Sequence, residues 1–313
     1  MQPFHRRLAR ALPALLLGLL PAGITWAQDG PRALTATRQT LVHGGTERHY
    51  ELRVPASPPP AAGWPVVLVL HGGGGNAANA EAMTGFSALA AREGFMVAYP
   101  EGTGRLGGRL QTWNAGHCCG QAMNRRVDDV GFIDAVVAEL IARHMADPRR
   151  VYLTGLSNGG MMTHRAALEK PRRFAAIAPV IASVFGDEPL AASPVSALII
   201  NGAQDTAVPP QGGAPGGRFP DAWDGTPVRP ARDQASLWAA SSGCDREPRH
   251  EVRPGYQRWT HTCPAGWAVE QVLVDDNGHA WPGGKKGSLR GDTPSARFDA
   301  TAAIWAFFRD RSR

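Results

Sequence analysis

Hydrophobic positions along the chain change period several times. Over 38–54, apolar and polar residues alternate on either side of Gly44-Gly45, which predicts an antiparallel hairpin. Pro65-Val66-Val67-Leu68-Val69-Leu70 is continuously apolar, the pattern of a strand buried on both faces. Helical spacing predicts helices over 82–93, 130–145, 233–240 and 298–308, and short apolar runs predict strands over 95–99, 151–156, 175–181, 197–201 and 269–274. Asp128 and Asp129 supply an N-cap and an acidic first turn to the helix over 130–145. Long Gly/Pro-rich loops fall at 100–126 and 208–232. Strands that alternate with helices after an antiparallel start predict an α/β fold class. One mainly parallel central sheet should carry helices on both faces, with the chemistry at the carboxyl ends of its strands.

The first 27 residues break this pattern. Arg6, Arg7 and Arg10 precede an almost wholly apolar run over 11–20, and Thr25-Trp26-Ala27 offers small residues at the cleavage positions. Residues 1–27 therefore read as a signal peptide, and 28–313 as a single domain. The apolar run is shorter than the ~20 residues that span a bilayer. No cysteine near the cleavage point suggests a lipid anchor, so a secreted protein is expected, extracellular or periplasmic. Removing the three arginines of the leader lowers the formal charge from +6 to +3. The remaining basic residues are scattered, which speaks against nucleic acid as a partner.

The stretch that organises the chain is Gly155-Leu156-Ser157-Asn158-Gly159, between a predicted strand and an apolar segment that reads as a helix. In that context Gly-x-Ser-x-Gly is a nucleophile elbow: the turn is so sharp that residues two before and two after the serine must lack a bulky side chain. A chance match is the alternative in a chain with 37 glycines, and the flanking elements argue against it. A serine hydroxyl needs a base. Three histidines follow, His250, His261 and His279. His279 is chosen because it lies in a loop just after the strand over 269–274. The acid is expected at the end of the strand over 197–201, which leads to Asp205. Backbone donors for an oxyanion are expected from Asn158 and from the glycines after the first buried strand, Gly73 first and Gly74 second. A flexible turn is the other reading of those glycines. No Gly-Lys-Ser/Thr follows them, so a phosphate loop is disfavoured. Histidines and cysteines are too dispersed for a metal site, and no cofactor is implied.

Five stretches together carry a resemblance. They are Leu70-His71-Gly72-Gly73-Gly74, Trp113-Asn114-Ala115-Gly116-His117-Cys118-Cys119-Gly120, Val127-Asp128-Asp129-Val130-Gly131-Phe132, Gly155-Leu156-Ser157-Asn158-Gly159-Gly160-Met161-Met162 and Gly278-His279-Ala280-Trp281-Pro282-Gly283. With them the chain resembles the secreted polyhydroxybutyrate depolymerase-like and feruloyl esterases of carbohydrate esterase family one type, over nearly all of 28–313. The resemblance implies an α/β-hydrolase fold and a serine carboxylesterase whose triad is Ser157, Asp205 and His279. Its substrate would be a feruloyl or acetyl ester on polysaccharide, or a hydroxyalkanoate oligomer. Acetylxylan esterase, a secreted serine peptidase of the same fold and an idle binding protein are the alternatives. Trp113 and Trp281 are candidate pocket walls, with core packing as the plainer reading.

Export makes disulfides plausible for the four cysteines, which allow three connectivities. Cys244 and Cys263 flank a polar segment before the strand that leads to His279 and are expected to pair. That leaves Cys118 and Cys119 either bridged to each other or as two thiols.

Overall fold

The computed structural model describes residue 1 and residues 32–104, 108–216, 222–264 and 266–313. Apart from its first residue, the expected leader 1–27 lies outside the described residues. The chain divides into Met1–Gly30 and Pro31–Arg313, and everything below concerns the second unit. Among the described residues, no helix is long and apolar enough to cross a membrane.

The predicted hairpin is β1 (Leu34–His43) and β2 (Thr46–Pro55), paired antiparallel across Gly44-Gly45. The first buried run is β3 (Trp64–Leu70). The helix expected over 82–93 starts earlier and is two helices, α1 (Ala77–Thr84) and α2 (Phe86–Glu93). Gly85 separates them with φ +69°, a left-handed conformation that glycine adopts without penalty, and its N–H caps the Glu81 carbonyl. The order continues with β4 (Met96–Pro100), α3 (Gly120–Asn124) inside the long loop, α4 (Asp129–His144), β5 (Ala146–Leu156), α5 (Asn158–Glu169), β6 (Ala176–Val180) and β7 (Ser196–Gly202). It ends with α6 (Ala231–Ser241), β8 (Arg249–Arg253), β9 (Tyr256–His261), β10 (Val269–Val274) and α7 (Ala300–Phe308). As expected, Asp128 caps α4, its carboxylate accepting from Gly131 N.

The described strands form one sheet in the order β1-β2-β4-β3-β5-β6-β7-β10-β9-β8. The six strands from β4 to β10 in this order pair in parallel, with antiparallel strands at both edges. The α/β fold with a mainly parallel sheet is thus as expected. The β8–β9 hairpin goes beyond the strands that the sequence predicts.

Side-chain alternation along the buried strands divides the core in two. Val66, Leu68 and Leu70 join α4, α5 and α6 on one face, whereas Val67 and Val69 join α1, α2 and α7 on the other. Both faces of the central strands are therefore covered, and polar loops are left to the strand ends. The parallel direction brings the turns after β3, β5, β7 and β10 to one edge. Those turns hold Gly73, Ser157, Asp205 and His279 respectively.

Candidate active site

Ser157 links β5 to α5 with φ +54° and ψ −120°, a costly conformation for a residue with a side chain. Its N–H donates to Val180 O at 3.0 Å, and its carbonyl accepts from Met161 N at 2.8 Å, so β6 and the first turn of α5 hold it there. The glycines around it have no room for a side chain. A Cβ on Gly155 would lie 2.4 Å from Gly159 O, and one on Gly159 would lie 2.4 Å from His71 O.

A hydrogen-bonded chain runs from this hydroxyl into the protein. Ser157 Oγ is 2.9 Å from His279 Nε2, and His279 Nδ1 is 2.8 Å from Asp205 Oδ2. An ionised carboxylate only accepts, so Nδ1 carries the hydrogen and Nε2 is left to accept from the serine. The other Asp205 oxygen, Oδ1, accepts from Ala207 N at 2.8 Å and Val208 N at 2.9 Å. The Asp205 side chain is 2 % exposed and that of His279 is 26 %, so the acid end is sealed and the serine end is open. Two residues not singled out from sequence fix the His279 loop. Asp292 Oδ2 accepts from His279 N at 2.6 Å, and the buried Asn277 amide donates to the Gly278 and Ala280 carbonyls and accepts from Ser295 N.

Beside the serine lie two backbone donors. Asn158, the first residue of α5, has an N–H with no intrahelical acceptor. Among the described residues, the Gly73 N–H has no backbone acceptor either, while Gly74 N donates to Gln111 O at 2.7 Å. That bond takes up the second-choice donor. The two segments touch: a Cβ built on Gly73 would lie 3.7 Å from Asn158 Cβ. His71 sets the glycine turn. Its Nδ1 donates to Gly72 O at 2.8 Å, and its Nε2 accepts from Gly102 N at 3.0 Å. Gly75 N also donates to Gly72 O, at 3.0 Å. In a trans peptide the carbonyl and the following N–H point in opposite directions, so anchoring Gly72 O turns Gly73 N–H away from the imidazole. Burial pushes His71 down to about 4, which keeps the ring neutral, as both hydrogen bonds require.

The two tryptophans do not present faces to solvent. Trp113 is fully buried; it packs on His71 with ring centroids 4.8 Å apart and donates Nε1–H to His71 O at 2.9 Å. Trp281 is equally buried, donating to Thr301 Oγ1 at 2.9 Å and packing edge-on to Phe86. Both support the site from behind instead of lining an open pocket. The rims of the same sheet edge are joined by His117, which lies 2.9 Å from Asp187 and 2.7 Å from Asp224. Hydrogen bonding to Asp187 holds this imidazole above its ordinary range. Cys244 and Cys263 are bridged as expected. The sulfurs of Cys118 and Cys119 lie within bonding reach of each other. Among the described residues, no group of three or more His, Cys, Asp or Glu side chains is arranged to hold a metal ion.

Chemically, a hydroxyl aligned on a neutral imidazole that a carboxylate holds in one tautomer, beside unclaimed backbone N–H groups, is an arrangement suited to acyl transfer. Comparison with known proteins points the same way. The profile of the family described as Esterase PHB depolymerase matches residues 50–209. The inferred esterase NocK of Nocardia uniformis subsp. tsuyamanensis is 34% identical over 269 residues, 80% of this chain and 75% of that protein. Feruloyl esterase B of Piromyces equi is 29% identical over 231 residues, 71% of this chain but 41% of its own length. Among solved structures, the acetyl xylan esterase from Aspergillus awamori shares the fold with a TM-score of 0.57 at 18% identity, over 78% of this chain and 94% of that one. The chain belongs to the Esterase PHB depolymerase family and is an esterase of the α/β-hydrolase fold.

Proposed function

We propose that this protein is a secreted serine carboxylesterase that works through an acyl-enzyme on Ser157. The observation that carries the reading is the chain of hydrogen bonds Ser157–His279–Asp205, 2.9 and 2.8 Å long, at the carboxyl edge of a parallel sheet. His279 Nε2 takes the Ser157 proton as Oγ attacks the ester carbonyl carbon. The tetrahedral oxyanion is stabilised by the N–H groups of Gly73 and Asn158. Collapse breaks the bond to the leaving alcohol, which departs with the proton from His279. Water then attacks the acyl-serine, giving its proton to His279, and the second collapse returns that proton to Ser157 and releases the acid. Asp205 holds the imidazole tautomer and stabilises its cation throughout. No cofactor enters these steps.

For substrate we propose a feruloyl or acetyl ester on a polysaccharide, or a hydroxyalkanoate oligomer. The names of the relatives, a feruloyl esterase and an acetyl xylan esterase, support the first class. The family description supports the second. The open serine end of the site suits an ester presented from solution. Initial rates on methyl ferulate, acetylated xylan and hydroxybutyrate trimer test the assignment, with Ser157→Ala as the control. One of the three should turn over at least about a hundredfold faster with wild type than with the variant. Export with removal of 1–27 is part of the same proposal and is read from the intact mass of the protein recovered outside the cytoplasm.

A further inference from the structure

A polar cavity lies away from the serine. It sits between the first turns of α6, the loop that follows Cys244, and strands β9 and β10. Its volume is about 130 Å³, and Arg232, Arg246, Glu247, Trp259, His261 and Gln271 line it. None of Ser157, His279 and Asp205 is in the lining.

Its floor holds polar groups without partners. Gln271 is 2 % exposed, in mid-strand between Ile199 of β7 and Trp259 of β9. Among the described residues its amide makes no side-chain hydrogen bond; it opens onto the cavity, where a ligand or water can reach it. His261 is 5 % exposed; its Nδ1 donates to Asp245 O at 2.8 Å, and its Nε2 has no partner among the described residues. The mouth is cationic. The Arg232 guanidinium rests 5.5 Å from the Trp259 ring centroid, and both line the cavity. Neither Arg232 nor Arg246 has an ion-pair partner among the described residues. Arginines on the adjoining strands do: Arg249 and Arg253 pair with Glu251, and Arg258 with Glu270. Glu247 is the single carboxylate in the lining, against two guanidiniums.

We propose that this cavity is a binding site for a small oxyanion. The space corresponds to roughly four waters at ~30 Å³ each, enough for a carboxylate, phosphate or sulfate group. The forked guanidiniums match such a group, and Gln271 Nε2 donates to it from below. His261 Nε2 accepts from a bridging water or a protonated oxygen. The Cys244–Cys263 bridge keeps the loop bearing Arg246 against β9, because Asp245 N donates to Thr262 O at 2.7 Å.

The test is titration of the full, oxidised chain with sodium phosphate, sulfate and acetate, followed by side-chain amide and indole NMR signals and by calorimetry. Sodium chloride at matched ionic strength is the reference. Saturable shifts of the Gln271 amide signal are expected. The double variant Arg232→Gln/Arg246→Gln should weaken binding by about tenfold or more, the scale of losing charge-assisted hydrogen bonds. Its ester hydrolysis should stay unchanged. Tighter binding of phosphate and sulfate than acetate would assign a tetrahedral oxyanion, and the reverse order a carboxylate. Shifts no larger than those with chloride, or binding equal in wild type and the double variant, would overturn the proposal. Gln271→Met, which keeps the side-chain length but removes the donor, separates a lost site from a lost fold: it should weaken binding while its circular dichroism spectrum and ester hydrolysis stay those of wild type.

Discussion

Asn158 grips the backbone of Trp113 on both sides. Its Oδ1 accepts from Trp113 N at 2.7 Å, and its Nδ2 donates to Trp113 O at 3.0 Å. The residue after the serine thus does two things: its N–H stays free beside Ser157, and its side chain ties α5 to the loop that packs on His71. Asn158→Ala keeps the backbone N–H but strands the buried Trp113 N–H, while Trp113 O keeps its bonds from Ala115 N and Cys119 N. It should cost about 1–3 kcal/mol of stability, on the scale of one buried group left unpaired. kcat should fall more than KM rises, because the donor geometry loosens. Calorimetric melting with steady-state kinetics checks both, and an unchanged melt would mean that Trp113 is held by other contacts.

The acid position has its own signature. In Asp205→Asn, an amide oxygen kept on the Ala207 and Val208 N–H groups would turn the NH₂ toward His279 Nδ1, favouring the wrong imidazole tautomer. We expect kcat to drop by roughly 10³–10⁴-fold, with a native circular dichroism spectrum. Near-wild-type turnover would assign the orienting role to another carboxylate.

Acid should weaken the fold before the carboxylates titrate. Burial pushes both His71 and His164 down to about 4. His164 is neutral by its bonds as well: Trp238 Nε1 donates to its Nδ1, and its Nε2 faces Gln234 Oε1. Both folded values lie below the unfolded one, so the unfolded chain binds protons first. Their contribution is complete above about pH 6.5 and drains away as pH falls toward 4. Each should lose about 1 kcal/mol between pH 6.5 and 5.5. His117, raised by Asp187 and Asp224, works in the opposite sense: its contribution is complete below about 6.5 and is lost as pH rises through its folded value. Urea midpoints should therefore peak near neutrality and fall by pH 5.5. A midpoint that is flat from pH 7 to 5.5 contradicts the buried neutral rings.

Breaking the Cys244–Cys263 bridge should lower the melting temperature. With a sequence separation of 19 between the partners, the cost is on the order of 3 kcal/mol in the chain-entropy view. Cys118→Ser should act differently, because Cys118 lies beside Asn158, whose Nδ2 is 3.7 Å from Cys118 Sγ. Turnover should change more than melting. Peptide mapping without reduction reads the connectivity directly, and a crosslink between Cys118 or Cys119 and Cys244 or Cys263 would contradict it.

What could be read from the sequence follows from where the information is local. The elbow is a spacing of glycines around Ser157. Asp205 and His279 each lie just after an apolar run that reads as a strand, so chain order together with that position picks them out. The β8–β9 hairpin was missed because Arg249-His250-Glu251-Val252-Arg253 is an exposed edge strand without an apolar face. The break at Gly85 was missed because apolar spacing continues across it. Trp113 and Trp281 illustrate a different gap. Nothing local distinguishes an indole lining a pocket from one whose N–H is spent on His71 O or Thr301. The His117 contacts with Asp187 and Asp224 join residues 70 and 107 positions apart, which only the folded chain brings together.

The central claim is that Ser157 carries the acyl group, and the most direct test is intact-protein mass spectrometry after brief exposure to a fluorophosphonate, followed by peptide mapping. One adduct per chain is expected, on the peptide containing Ser157, with hydrolysis abolished in step with labelling. Ser157→Ala should give no adduct and a native fold. Full labelling of Ser157→Ala, or an adduct on a different serine with hydrolysis intact in that variant, would contradict it.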